Sequence, residues 1–222
     1  MRIPCEVEQD EPPVVKVSDT LYDQELQTYI VSDLHFKSNK SLFNTRRCER
    51  FTTAEDVDRE IISQFLSIPK KSIIILLGDF YSVDYFAQIF QDQFVYLMYG
   101  NHESTSKSLA YKNWKINELN SKGYHIDVLN PDGRQVFYRI PETTLTLAHN
   151  PDTVNFPLTR NDLVFHGHYH NYNGKGHYSG IYKSGLWPEN HYINVTIDAH
   201  DFDMKELTLY QLLHSHKVPH IP

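Results

Sequence analysis

Three short apolar runs, each stopping at a polar block, constrain the fold of this chain more than any other feature. Residues 72–77 read SIIILL and stop at Gly78-Asp79. Residues 94–98 read FVYLM and lead into Gly100-Asn101-His102, while residues 27–32 read QTYIVS and stop at Asp33. The central run, apolar without alternation, is predicted to be a strand buried on both faces, as in a sheet covered on each side. The segments between the runs have helical spacing. Residues 53–66 carry Thr52 or Thr53 as a cap, acids in the first turn, and Val57, Ile61, Ile62 and Phe65 on one face. Shorter helices are predicted over 82–90 and 106–119. The first half therefore reads β-α-β-α-β-α.

From residue 124 the pattern changes. Strands are predicted over 124–129, 134–140, 143–148, 163–165, 192–197 and 206–210, with a turn at Pro131-Asp132-Gly133. There is no internal repeat and no obvious linker. The expectation is one domain over residues 1–222, with two sheets face to face and helices outside. Residues 1–26 are read as an acidic, proline-containing arm or, at 14–17, a short edge strand.

Composition excludes several classes. The 222 residues are enough to bury one large core, and the longest apolar run, 73–77, is far too short to span a bilayer. The N-terminus has no basic patch followed by an apolar stretch, so no secretory signal is expected. Two cysteines fit a reducing, cytoplasmic setting better than a disulfide framework. A net charge of −7 disfavours long duplex nucleic acid as a partner. The chain also holds 13 histidines, whose placement matters more than their number.

Five polar blocks share one address, the end of a predicted strand or the turn after it, where open α/β sheets place their ligands. They are Asp33-Leu34-His35, Gly78-Asp79, Gly100-Asn101-His102-Glu103, His149-Asn150 and Gly167-His168-Tyr169-His170. A pair of divalent cations needs oxygen and imidazole donors on rigid elements, one donor that bridges, and positions left for water and substrate. Asp bridges from a strand end, and Asn adds an oxygen without adding charge. In D-x-H or H-x-H on extended chain, residues i and i+2 face the same side. Glycines at 78, 100 and 167 permit sharp turns.

The blocks D-x-H, G-D, G-N-H-E, H and G-H-x-H, present in this order, resemble those of the calcineurin-like metallophosphoesterases. They are most similar to the small single-domain bacterial and phage members, which begin S-D-x-H-F and end on a strand like Ile193-Asn194-Val195-Thr196-Ile197-Asp198. The resemblance implies an α/β, four-layer α-β-β-α sandwich of two mixed sheets flanked by helices. It implies one metal on Asp33, His35, Asp79 and His170, and a second on Asp79, Asn101, His149 and His168. His102 would be the catalytic histidine, donating a proton to the leaving group. The activity implied is hydrolysis of phosphomonoesters or phosphodiesters by a bridging hydroxide at a dinuclear centre. Manganese is the first expectation, with Fe, Zn, Co or Ni compatible with the donors. A phosphorylated small molecule or nucleotide is the expected substrate. The alternatives are a nuclease for single-stranded nucleic acid and an idle binding scaffold. Oligomeric state is open.

Other residues read less specifically. Arg46, Arg47 and Arg50 fit equally a solvated loop or a clamp for phosphate, and Lys37 and Lys40 share that loop. Glu103 is expected to support a ligand rather than to be one. His166 is expected on the far side of its strand, and His177, His191, His200, His214, His216 and His220 on the surface or tail. Tyr81 and Tyr169 are weak candidates for the pocket wall. Asn150 departs from the family pattern, with consequences only for the substrate rim.

Overall fold

The structure is a computed structural model and describes residues 14–16, 27–45, 47–103, 106–129, 136–140, 143–154, 163–170 and 192–215. Its strands are β1 (Val14–Lys16), β2 (Thr28–Val31), β3 (Ile73–Leu77), β4 (Phe94–Met98), β5 (His125–Val128), β6 (Val136–Ile140), β7 (Thr143–Ala148), β8 (Leu163–His166) and β9 (Tyr192–Asn194). Its helices are α1 (Asn39–Asn44), α2 (Arg47–Arg50), α3 (Ala54–Leu66), α4 (Phe86–Ile89), α5 (Ser106–Ser121) and α6 (Leu209–Ser215).

The chain is mixed α/β, with largely parallel sheets and flanking helices. One sheet runs β2-β3-β4-β5 and the other β1-β6-β7-β8-β9. The four-stranded sheet is parallel throughout rather than mixed, because a helical crossover separates each pair of consecutive strands. Among the described strands of the other sheet, β6 and β7 form the only antiparallel pair and lie close together in sequence. The edge strand expected near residue 14 pairs in parallel with β6. One apolar cluster draws on both sheets, from Ile30, Ile74 and Leu76 to Leu145, Phe165 and Ile193.

The helix expected at 53–66 is α3. Thr53 accepts from Asp56 N–H at 3.1 Å and the Asp56 carboxylate accepts in return from Thr53 N–H, a reciprocal cap. Val57, Ile61 and Phe65 are buried on its inner face. Asp58, also buried, accepts from Lys37 N–H with both oxygens, which ties the helix to the chain beyond β2.

Three local expectations change. Residues 37–50, read as a loop, contain α1 and α2, with the Ser38 hydroxyl capping α1. The strand expected over 192–197 ends at Asn194, and Ile197–His200 is a 3-10 helix. The strand expected over 206–210 is a turn, a single bridge from Thr208 to Tyr29, and then α6. Five residues are too few to separate periods of 2 and 3.6, and burial of Leu209 and Leu212 with Tyr210 67% exposed is the helical solution. The turn at 131–133 lies outside the described residues.

This packing makes a contrast between neighbours on α6. Leu212→Ala is expected to cost ~2–5 kcal/mol in denaturant unfolding. Tyr210→Ala, at an exposed position on the outer face, should cost far less. Equal losses would contradict a helix here.

Candidate metal centre

The chain leaves β2 and β3 side by side and keeps hydrogen bonding beyond both strands. Asp33 N–H donates to Gly78 O (3.1 Å), His35 N–H to Asp79 O (2.9 Å), and Phe36 N–H to Phe80 O (3.1 Å). To do so, Asp33, His35, Asp79 and Tyr81 adopt left-handed backbone, with φ of 61°, 49°, 51° and 66°. Each such residue costs roughly 1–2 kcal/mol, so the conformation needs outside support.

Glu103 provides much of it. Its buried carboxylate accepts from the N–H groups of Asp79 (2.8 Å), Gly100 (2.9 Å) and Tyr81 (3.0 Å), and from Lys112 Nζ (3.3 Å). It therefore fixes two donor-bearing turns without facing their donors. Only Gly78 among the three site glycines uses its freedom of φ (87°). Gly167 is needed for space, since a Cβ there would lie 1.9 Å from Ser32 Oγ and 2.3 Å from Asp33 Oδ2.

These turns bring together three overlapping donor groups: Asp33, His35 and His170; His35, Asp79 and His102; Asp79, His149 and His168. His35 and Asp79 each belong to two. Asp79 Oδ2 lies 3.2 Å from His149 Nε2, 3.7 Å from His35 Nε2 and 3.8 Å from His102 Nε2. Asp33 Oδ1 lies 3.5 Å from His35 Nε2 and 3.6 Å from His170 Nε2, and those two nitrogens are 3.2 Å apart. Asn101 Oδ1 sits 2.9 Å from His149 Nε2 and 3.0 Å from His168 Nδ1.

The donors are aimed from behind. His149 Nδ1 contacts Leu77 O (2.8 Å) and His170 Nδ1 contacts Asp198 Oδ2 (2.8 Å), so each ring presents Nε2 to the cluster. Asp33 Oδ2 accepts from His168 N–H (2.8 Å), and Asp79 Oδ1 from His102 N–H (3.0 Å). Asp33 Oδ1 is buried and accepts no hydrogen bond among the described residues. A buried carboxylate oxygen surrounded by imidazole nitrogens, with neutral Asn oxygen nearby, suits a borderline divalent cation.

Electrostatics agree with this arrangement. Burial alone would raise the Asp33 carboxyl, but the imidazoles of His35, His149 and His170 hold it well below the usual carboxylate range. Burial opposes charge on His149, yet its hydrogen bond to Asp79 and the charges of Asp33 and Asp79 push it up to about 9. A proton thus stands where a cation would neutralise the same carboxylates. Burial pushes His35 and His168 down.

The remaining candidates fall elsewhere. Arg46 lies outside the described residues. Arg47 is 2% exposed and donates to Asp198, Asp33 O and Leu34 O, so its fork is engaged inside the protein rather than held open as a phosphate clamp. Arg50 donates to Asp201 O and Glu60, over the rings of Phe51 and Phe202. Lys37 pairs with Asp84 at 2.5 Å. His166 is buried, contacts Gly167 O, and is pushed by burial down to about 4, the behaviour of a neutral core histidine. His200 contacts Asn194 O, and Asn150 caps the 3-10 turn Pro151–Thr153. His177, His191, His216 and His220 lie outside the described residues. Tyr81 is 46% exposed with its ring 6.0 Å from that of His102.

Asp198, which follows strand β9, is not distinguished by local spacing. Its one signal is an acid just beyond an apolar strand; its partner Arg47 is too distant in sequence for spacing to connect them.

Glu103 offers a direct check on this framework. Glu103→Gln replaces one acceptor oxygen by a donor facing N–H groups or an ammonium, and is expected to cost about 3–5 kcal/mol in denaturant unfolding. A loss under ~1 kcal/mol would show that the turns are held by other contacts.

A model of the calcineurin-like phosphoesterase family matches residues 26–183, well over half of the chain. No curated protein matches. A solved structure of a protein of unknown function from Aquifex aeolicus is similar in fold, with a TM-score of 0.51 and 19% identity over 80% of this chain and 93% of that one. The matched segment contains all five polar blocks that build the donor clusters, and the chain belongs to the calcineurin-like phosphoesterase family.

Proposed function

We propose that this metal-dependent phosphoesterase works through a dinuclear centre, with Asp33, His35, Asp79 and His170 holding one ion and Asp79, Asn101, His149 and His168 the other. The carrying observation is Asp79, whose Oδ2 faces imidazoles of both clusters, His149 at 3.2 Å and His35 at 3.7 Å. Divalent cations bound there would acidify a water for attack at phosphorus and neutralise charge on the phosphoryl oxygens.

His102 is suited to protonating the departing oxygen. Its backbone is held by Asp79 Oδ1 while its ring stands edge-on to His35, 5.0 Å away, on the partly exposed side of the cluster. The substrate favoured is a small phosphorylated molecule or nucleotide. Among the described residues, Arg47, Arg50 and Lys37 are each engaged by protein oxygens, which supports a small substrate over a single-stranded nucleic-acid track. Manganese is the metal to test first.

Two substitutions test the assignment. Asp79→Asn should lower metal content at both clusters and cut turnover of bis-p-nitrophenyl phosphate with manganese by roughly a hundredfold or more. Near-normal activity of a fully loaded variant would exclude the bridging role. His102→Ala should keep its metal but lose ~10²–10⁴-fold on alkyl esters, and much less on p-nitrophenyl esters, whose leaving group needs no proton. Equal losses on both would remove His102 as the acid. A wild-type protein that binds metal and turns over no phosphoester would instead be a scaffold.

A further inference from the structure

We propose that the buried Arg47–Asp198 pair is the positioning device of one metal cluster, setting the tautomer of His170 and the placement of Asp33 and His35 through a single guanidinium. The inference rests on the metal-centre reading above.

Asp198 divides its two oxygens. Oδ1 accepts from Arg47 Nε (3.0 Å) and Nη2 (2.6 Å), while Oδ2 faces His170 Nδ1 (2.8 Å). A carboxylate accepts only, so Nδ1 carries the proton and the neutral ring keeps its lone pair on Nε2. That nitrogen lies 3.6 Å from Asp33 Oδ1 and 3.2 Å from His35 Nε2. Without the guanidinium, Asp198 would lose both hydrogen bonds to Oδ1 and could rotate away from the ring.

The same guanidinium grips the other half of the cluster. Nη1 donates to Leu34 O (3.0 Å) and Nη2 to Asp33 O (2.5 Å), the carbonyls of the block that carries Asp33 and His35 in left-handed backbone. Arg47 thereby joins α2, the end of β2 and the 3-10 helix after β9 at one point. Lysine lacks the planar fork needed to hold three acceptors in these directions. The other cluster is supported differently, since His149 is oriented by the Leu77 carbonyl and Asp79 by Glu103. The pair should therefore act on one cluster and spare the other.

The test uses the full-length protein, first without metal. Nitrogen-15 NMR of the histidine side chains, at a pH where the rings are neutral, should show His170 protonated on Nδ1 in the wild type. In Asp198→Asn the amide can donate to Nδ1, and His170 should shift toward the Nε2-protonated tautomer. A wild-type His170 protonated on Nε2, or no change in the variant, overturns the proposal without bearing on whether metal binds. Titration with Mn²⁺ then follows. Asp198→Asn and Arg47→Lys should each weaken one class of site ~10–100-fold and leave the other within ~threefold, while Asp198→Glu recovers part of the loss. Equal weakening of both classes would show that the pair merely supports the fold. If Asp198→Asn does not fold, Arg47→Lys carries the same comparison. A wild type that binds no Mn²⁺ would defeat the metal-centre reading and leave the tautomer result standing.

Discussion

The site depends on how closely the two sheets meet at Ser32 and Asp33. Ser32 bridges Thr196 beyond β9, with Ser32 N–H donating to Val195 O and Ile197 N–H to Ser32 O. One residue on, Asp33 Oδ2 accepts from His168 N–H, past a Gly167 with no room for a side chain. A single buried carboxylate thus ties the end of β2, in one sheet, to the turn after β8, in the other. Because that turn carries His168 and His170, the contact that joins the sheets also brings together the halves of the donor cluster.

Burying such a carboxylate is unfavourable unless its charge is met. One oxygen of Asp33 is met by the His168 N–H and the Thr196 hydroxyl, and the other faces the imidazoles of His35 and His170. Asp79 repeats the pattern, one oxygen on the His102 N–H and the other among ring nitrogens. Both sit in strained backbone, held by Arg47 at one turn and Glu103 at the other. The fold therefore maintains two buried anions in a cage of imidazoles, an arrangement that a divalent cation completes.

Much of this was legible in the sequence. The apolar run of β3 signals its burial directly, and the helix α3 begins at Ala54, immediately after its cap Thr53. The donor blocks were legible because each is short, contiguous and attached to a strand end, so local spacing carries the information. Arg47 was not. A basic residue in a loop reads equally as solvated or as a phosphate clamp, and only the tertiary structure shows its fork closed on Asp198 and two carbonyls. Asp198 failed for the same reason, as its partners lie far away in the chain. The helix α6 was missed because its apolar residues fill a window too short to fix a period. Local pattern thus marks the residues that cluster at the strand ends, while the groups that position them are matters of long-range contact.

The most direct measurement is anomalous diffraction from crystals of the manganese-loaded protein. A dinuclear centre predicts two peaks on either side of Asp79, one among Asp33, His35 and His170 and one among Asn101, His149 and His168. A single peak, or density away from Asp79, would contradict it.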